Sequence, residues 1–591
     1  MKSKLFFQIF EFFAGDLLEM ESVFPFCREV IPVRNAGIFR KNAEIPTDCR
    51  RSAVFRRRCG IFSFRDCLPH GSGYSIRKTK RESFMKKILQ YDVARGRIPR
   101  PETVFKQLDL LRPYGLDGIQ FYLENVVENS VFPSAGAGEN PITAEYLAQI
   151  RSYTDAHGLE FIPHFEILSH LEHLLALPEM EPYRDTPEGG HCCRIDLPEF
   201  REKMKAYLKE VSAYFSSPYV HCGGDEAFNL GLGRSRAYLE KHGFEEAFAE
   251  YVNDIAAFLR SIGKTMLFYA DEPIVYPKLR QLLSPEIVLV NWAYCGRHEV
   301  YEVENYHYSR HAQSVAGHRF WVTGNCMAEY VFTPFERLSE NVAIWRELGK
   351  GAETFVISDW GSDENTNPYV LTTLGTIYAL KAFEDASYSQ EDFIRDVESL
   401  ILSRPDDDFR NAYRILLDAS GTKYWSPELI YRGPLLPARL FADPDSRGLC
   451  LGAGMTDPVK LDELIRDVRS AVAWFESADP ASMAQPELFA DLRDLSKRVL
   501  ATVLRAKLCY LHAHNTGGVW FTQKELEPQI LLYEECMDLM RKDLKFMKEN
   551  WRKESLPTCY DRAEAYYLRA LETTKKALHL PETSLRIFPP R

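Results

Sequence analysis

The residues best suited to chemistry lie in the stretch Val220-His221-Cys222-Gly223-Gly224-Asp225-Glu226. Two adjacent carboxylates repel, so their protonation is easily driven apart, as acid–base work requires. The glycines before them let the chain turn tightly and let a ligand approach the backbone. Taken alone, such a pair is more often the solvated end of a strand, so its meaning depends on what the rest of the chain brings near it. Candidate neighbours are Arg95 in Asp92-Val93-Ala94-Arg95, Glu124, His164, His170 and His173, Asp271, Trp292 and Tyr294, and Trp360 with Asp363. An Arg offers a fixed fork of donors to ligand hydroxyls, though an ion pair with Asp92 is an equal reading for Arg95. His170 suits an imidazole bridging two carboxylates, which fixes proton positions. A metal set of His164, His170 and Asp225 is the weaker alternative, because these histidines are six residues apart with no HxH or HExxH pattern between them. No metal and no cofactor is expected.

The elements that must position these residues begin after Met85. Eight β-rich runs follow, at 88–93, 118–123, 159–165, 219–222, 265–270, 287–291, 320–323 and 353–358, separated by helical patterns at 102–111, 144–157, 198–215, 247–262 and 335–348. Alternating strands and helices imply parallel pairing, and eight units in this length predict an α/β fold, a (β/α)8 TIM barrel over 85–385. Such barrels carry their chemistry at the C-terminal strand ends, where every candidate falls. Two of the eight tryptophans, Trp292 and Trp360, sit there beside polar residues, and aromatic walls with a few polar hooks suit sugar rings. Beyond 386 the strand signals stop. Loops marked by Arg432-Gly433-Pro434 and Asp443-Pro444-Asp445 lead to helical patterns near 457–477, 486–513, 521–552 and 557–578, an all-α C-terminal domain over 386–591 with a surface suited to a homodimer.

Composition narrows the function classes. A net charge of −11 over 591 residues argues against nucleic acid as the main partner. Residues 1–84 carry 16 Lys and Arg against 9 Asp and Glu and show no sustained periodicity, which predicts a poorly ordered basic extension and makes Met85 a candidate for the true start. The scattered odd number of cysteines does not form a disulfide framework. No run approaches the ~20 apolar residues of a membrane span, so a cytoplasmic protein without a membrane partner is expected.

The strand ends together resemble glycoside hydrolase family 20, the β-N-acetylhexosaminidases. His221-Cys222-Gly223-Gly224-Asp225-Glu226 is similar to its H-x-G-G-D-E signature, Asp92-x-x-Arg95 to its strand-1 D-x-x-R, and Ile162-Pro163…His170 to its strand-3 segment. Leu230–Arg236 is similar to the branch containing hexosaminidase D. The resemblance covers 85 to about 385 and implies a retaining exo-glycosidase acting on terminal β-linked GlcNAc or GalNAc of glycans, with the sugar's own 2-acetamido oxygen as nucleophile. It implies Glu226, with a raised pKa, as acid and then base, and ionised Asp225 as the holder of the acetamide N–H. Arg95 would bind outer hydroxyls, His170 with Glu124 would form a relay behind Glu226, and Trp292 and Trp360 would wall the pocket, with Tyr294, Asp271 and Asp363 as further substrate contacts. The acetamide-contacting Tyr has no clear counterpart, and Tyr294 or Tyr330 can substitute. The alternatives are a glycan-binding pseudoenzyme on the same barrel and, less favoured, a metal-dependent barrel hydrolase.

Overall fold

The computed structural model describes residues 85–95, 97–136, 141–294, 308–361, 366–421, 423–424, 458–515 and 523–577. The 1–84 extension, the 432–445 loops and Asp363 lie outside these. Eight parallel strands, β1 (Lys86–Asp92), β2 (Gly118–Tyr122), β3 (Glu160–His164), β4 (Tyr219–His221), β5 (Thr265–Tyr269), β6 (Val288–Trp292), β7 (Phe320–Asn325) and β8 (Thr354–Asp359), close in sequence order into a barrel. The β1–β8 pairing, Lys86 opposite Thr354 through Tyr91 opposite Asp359, seals it. The (β/α)8 expectation holds.

Strand periodicity sorts the barrel into an inside and an outside. Ile88, Ile162, Leu267, Tyr269, Val288, Val290, Trp321 and Val356 fill the interior as a cluster of their own. The alternate residues, such as Leu89, Tyr91, Phe121 and Phe161, face the helices. Toward the C-terminal mouth the interior turns polar. Gln120 Nε2 donates to Gln90 Oε1 at 2.6 Å, and His164 Nδ1 lies 3.2 Å from the same oxygen.

The outer helices form where the sequence caps and patterns them. In α1 (Pro101–Leu111), Pro101 supplies the preset first turn, and Val104, Leu108 and Leu111 make one buried stripe. Each of those side chains contributes about 1.5–3 kcal/mol by leaving water. Thr143 caps α2 (Ala144–Ala156) by accepting the Tyr146 amide. Short α3 (Glu172–Ala176) follows β3, then α4 (Pro198–Ser212), α5 (Phe244–Ser261) and α6 (Phe335–Leu348). Helix α7 (Tyr369–Glu384) is buried on every side, because it lies between the barrel and further helices.

Two of those helices, α8 (Gln390–Ile401) and α9 (Asp407–Asp418), lie in a stretch of the expected all-α region where the sequence analysis places no particular helix. Their caps explain them: Ser389 and Asp392 form a reciprocal capping box, and Asp406 accepts from the amides of Asp408 and Phe409. After them come α10 (Pro458–Ser477), α11 (Pro486–Asn515), α12 (Gln523–Glu554) and α13 (Tyr560–Ala577). Met85–Arg591 makes one compact unit. No helix among the described residues is long and apolar enough to cross a membrane.

One buried cation ties this helical layer to the barrel mouth. Arg97, two residues past Arg95, donates from Nε to Ser555 Oγ at 2.7 Å and from Nη2 to Asn550 Oδ1 at 2.6 Å and Glu554 Oε2 at 3.0 Å. Its Nη1 donates to the Asn367 carbonyl. The guanidinium packs on the rings of Tyr369 and Trp551. A backbone bridge between Pro99 and Ser555, with Leu556 N donating to Ile98 O, finishes the clasp.

Candidate active site

The Gly-Gly-Asp-Glu turn leaves β4 with its backbone held by carboxylates from neighbouring strands. Gly224 N donates to Glu166 Oε2 at 2.9 Å, Glu226 N to Asp271 Oδ2 at 2.8 Å and Ala227 N to Glu272 Oε1 at 2.9 Å. His164 Nε2 meets the other Glu166 oxygen at 3.1 Å. Gly223 and Gly224 both have positive φ, +54° and +86°. A Cβ on Gly223 would fall 1.7 Å from Glu166 Oε2, and one on Gly224 would fall 2.2 Å from the Phe268 ring. Only glycine fits either place.

Glu226 itself has φ +51°, and His170 (+48°) and Glu124 (+32°) share that strained region at other strand ends. Such strain concentrates where surrounding contacts over-determine a functional geometry. His170 Nε2 lies 3.3 Å from Glu226 Oε2 and 3.7 Å from Asp225 Oδ2. Its Nδ1 lies 3.3 Å from Glu172 Oε1. His170 therefore bridges carboxylates, but its outer partner is Glu172 and not Glu124. Glu124 accepts from His173 N at 2.7 Å and Leu174 N at 3.2 Å and meets His173 Nδ1 at 2.6 Å. The His170–Glu124 relay is thus corrected: the left-handed turn at Glu124 points its carboxylate under the start of α3. His164, His170 and Asp225 do not converge as a metal set either, since His164 is spent on Glu166 and Gln90.

The electrostatics separate the carboxyls, in the opposite sense to that expected. Burial acts to raise Glu226, but the hydrogen bond and charge of His170 outweigh it and hold the carboxyl below its usual range. Burial drives Asp225 well up, with the nearby Glu166 and Glu226 charges adding to it and His170 opposing. Burial disfavours a charged His170, yet Asp225, Glu172 and Glu226 together raise it well above an ordinary histidine. An imidazolium thus stands between its carboxylates, and Glu172 is lowered to about 2 although burial opposes this.

Deeper in the barrel, burial raises Glu166 and Glu272 to about 8 and Glu329 and Asp359 to about 7. Unfolded carboxyls titrate near 4–4.5. Between those limits the folded chain holds protons that the unfolded chain releases, so stability falls as pH rises through the window. His164 and His221 are held neutral by burial, which costs stability as pH falls below about 6.5. The four retained protons outweigh the two that the histidines exclude, so the melting temperature is expected to fall from about pH 5 to pH 8, most steeply above about 6.5 where the histidines no longer oppose it, each retained proton adding about 1.4 kcal/mol per pH unit to the slope. Calorimetric scans across that range check this, and a flat or rising profile would refute it.

Aromatic rings line the mouth. Trp292 stacks on Tyr294 at 5.3 Å, Tyr294 meets Trp360 edge-on at 6.2 Å, and Tyr122 meets Trp360 at 5.2 Å. Arg95 lies over both Tyr122 and Trp360, each 5.2 Å away, and is tied to Asp92 Oδ2 at 3.3 Å. The ion pair of Arg95 with Asp92 is thus formed. Tyr122 Oη, Asp225 Oδ1 and Trp292 Nε1 are buried with no hydrogen-bond partner among the described residues, as fits a pocket that receives polar groups. Tyr294 belongs to this wall, whereas Tyr330 is buried beneath Arg337. Asp271 is turned to the Glu226 amide.

Sequence reasoning missed Glu166, Glu172 and His191. Glu166 and Glu172 each lie two residues after a noted histidine, a spacing that could have shown them. His191 comes from a loop with no periodic signal, and its Nε2 meets the Glu226 carbonyl at 2.8 Å.

Residues 129–310 match Glycosyl hydrolase family 20, catalytic domain. This span includes His170, Asp225, Glu226, Trp292 and Tyr294. Barrel and match together put the chain in the glycoside hydrolase class. Among solved structures it is similar to a GH20 exo-β-N-acetylglucosaminidase from Vibrio harveyi (16% identity, 53% of this chain and 57% of that one, TM-score 0.41). It is also similar to a β-N-acetylhexosaminidase from Bacteroides fragilis (15%, 50% and 66%, TM-score 0.38) and to a GH138 enzyme targeting pectin rhamnogalacturonan II (11%, 85% and 84%, TM-score 0.53). The chain spans little more than half of the Vibrio enzyme. The GH138 likeness is one of fold and extends over most of the chain. No curated protein matches in sequence.

Proposed function

We propose that this chain is a retaining exo-glycosidase that hydrolyses terminal β-linked N-acetylhexosamine from glycans by substrate-assisted catalysis. The observation that carries the reading is the Asp225–Glu226 pair bridged by His170 Nε2 at 3.7 and 3.3 Å beside an aromatic wall. The acetamido oxygen of the sugar attacks the anomeric carbon, and the leaving oxygen takes a proton from Glu226. In the free protein that proton stands on His170 Nε2, one hydrogen bond from Glu226 Oε2, and passes to Glu226 as the glycosidic bond stretches. Buried Asp225 gives up its proton to solvent as the sugar binds, accepts the acetamide N–H as a carboxylate and opposes the positive charge growing on the acetamide, an interaction strongest in the transition state. Glu226 then takes a proton from water, which opens the oxazolinium. Arg95 holds outer hydroxyls, and Trp292, Tyr294 and Trp360 pack on the sugar and acetamide.

Assay with aryl N-acetyl-β-glucosaminide and N-acetyl-β-galactosaminide tests this, with release of the aryl alcohol expected from at least one; release from neither sinks the reading. A second reading, a glycan binder without turnover, is favoured by the depressed Glu226 carboxyl. Saturable N-acetylhexosamine binding with no aryl release would establish it.

A further inference from the structure

The rim holds a second constellation that the reaction above uses only in part. His191 Nε2 meets the Glu226 carbonyl at 2.8 Å, so this nitrogen carries the ring proton and Nδ1 is bare. That Nδ1 faces Glu172 Oε1 at 3.7 Å. His170 brings its own Nδ1 to the same oxygen at 3.3 Å, from a ring 5.1 Å from that of His191. The three ligand atoms lie within 4.8 Å of one another. Lone pairs of His191 Nδ1 and Glu172 Oε1 face each other, an arrangement that favours a cation between them.

Two features fit a metal ion better than a proton alone. Two imidazoles and a carboxylate are a donor set for zinc-class ions, and ligands held at 2.0–2.1 Å in a tetrahedron stand about 3.4 Å apart, close to the 3.3 and 3.7 Å seen. The second is outer support. Metal-bound histidines have their other ring nitrogen held by a carboxylate or a backbone carbonyl. Here both do: His170 Nε2 faces the Glu226 carboxylate, and His191 Nε2 the Glu226 carbonyl. Glu172 is half open to solvent, which gives an ion a way in.

We propose that His170 Nδ1, Glu172 Oε1 and His191 Nδ1 bind one divalent transition-metal ion of the zinc class at the lip of the pocket. Coordination replaces the Nδ1–H bond of His170 with a metal–nitrogen bond and releases that proton to solvent.

The test is a calorimetric titration of chelator-stripped full-length protein with Zn2+, and a parallel one with Co2+ followed by visible absorption. One ion with four-coordinate Co2+ bands is expected, with affinity weakened at least ~10-fold by His191→Ala and by Glu172→Gln. Variants are compared only where circular dichroism and thermal transition match wild type. Equal affinity in all three proteins puts the ion elsewhere, for example on the cysteines of 1–84, and overturns the site. Zinc binding by a protein that never hydrolyses substrate upholds the site and defeats the functional reading instead.

Discussion

Glu226→Gln is expected to leave a folded protein whose kcat on aryl N-acetyl-β-hexosaminides falls by roughly 10²–10⁴-fold, with KM little changed. The substitution is nearly isosteric, the main-chain N–H of residue 226 still reaches Asp271 Oδ2, and the side-chain oxygen can still accept from His170. What disappears is the transferable proton and, in the second half of the reaction, the base for water. The loss should therefore deepen as the leaving group becomes more basic, since a poor leaving group depends most on the acid. Steady-state kinetics over a series of aryl leaving groups makes the check. A variant as fast as wild type on every member would remove Glu226 from the reaction.

Gly223→Ala should cost about 2–5 kcal/mol of unfolding free energy, from overpacking of 1–3 kcal/mol together with left-handed strain of 1–2 kcal/mol. The added methyl would lie 1.7 Å from Glu166 Oε2 and 2.0 Å from its Cδ. That carboxyl cannot swing aside cheaply, because His164 Nε2 and Gly224 N fix its two oxygens. Gly158 supplies the control: φ is +66° there, but nothing lies within 4 Å of a Cβ. Gly158→Ala should show the backbone strain alone, so the difference between the two variants in denaturant unfolding reports the packing. Equal costs would mean the strand-4 turn gives way freely around Glu166.

The barrel was legible because it rests on periodicity. Strand-length apolar runs recurring between amphipathic helices leave little choice of fold, and the strand limits fell within a few residues of expectation. Helices α8 and α9 went unplaced within the expected all-α region although Ser389-x-x-Asp392 and Asp406 announce their starts. At the site, residues on strand ends were legible because position along a parallel strand fixes which end of the barrel they reach. The pairing of those residues was not. Whether His170 meets Glu124 or Glu172 depends on left-handed turns at both Glu124 and His170, which residue type does not forecast for non-glycine positions. The order of the carboxyl pKa values was misjudged for the same reason. A raised Glu226 presumes burial without a cation, and the imidazolium at 3.3 Å reverses it.

The Arg97 clasp gives the far end of α12 a stake in the rim. Arg95 stands two residues before Arg97, so a change at Asn550 or Glu554 strips partners from a buried guanidinium and loosens the loop that presents Arg95 over Tyr122 and Trp360. Drift in the helical layer would then surface as altered grip on ligand, with the Glu226 machinery intact. The mouth thus leans on a helix 453–457 residues further along the chain.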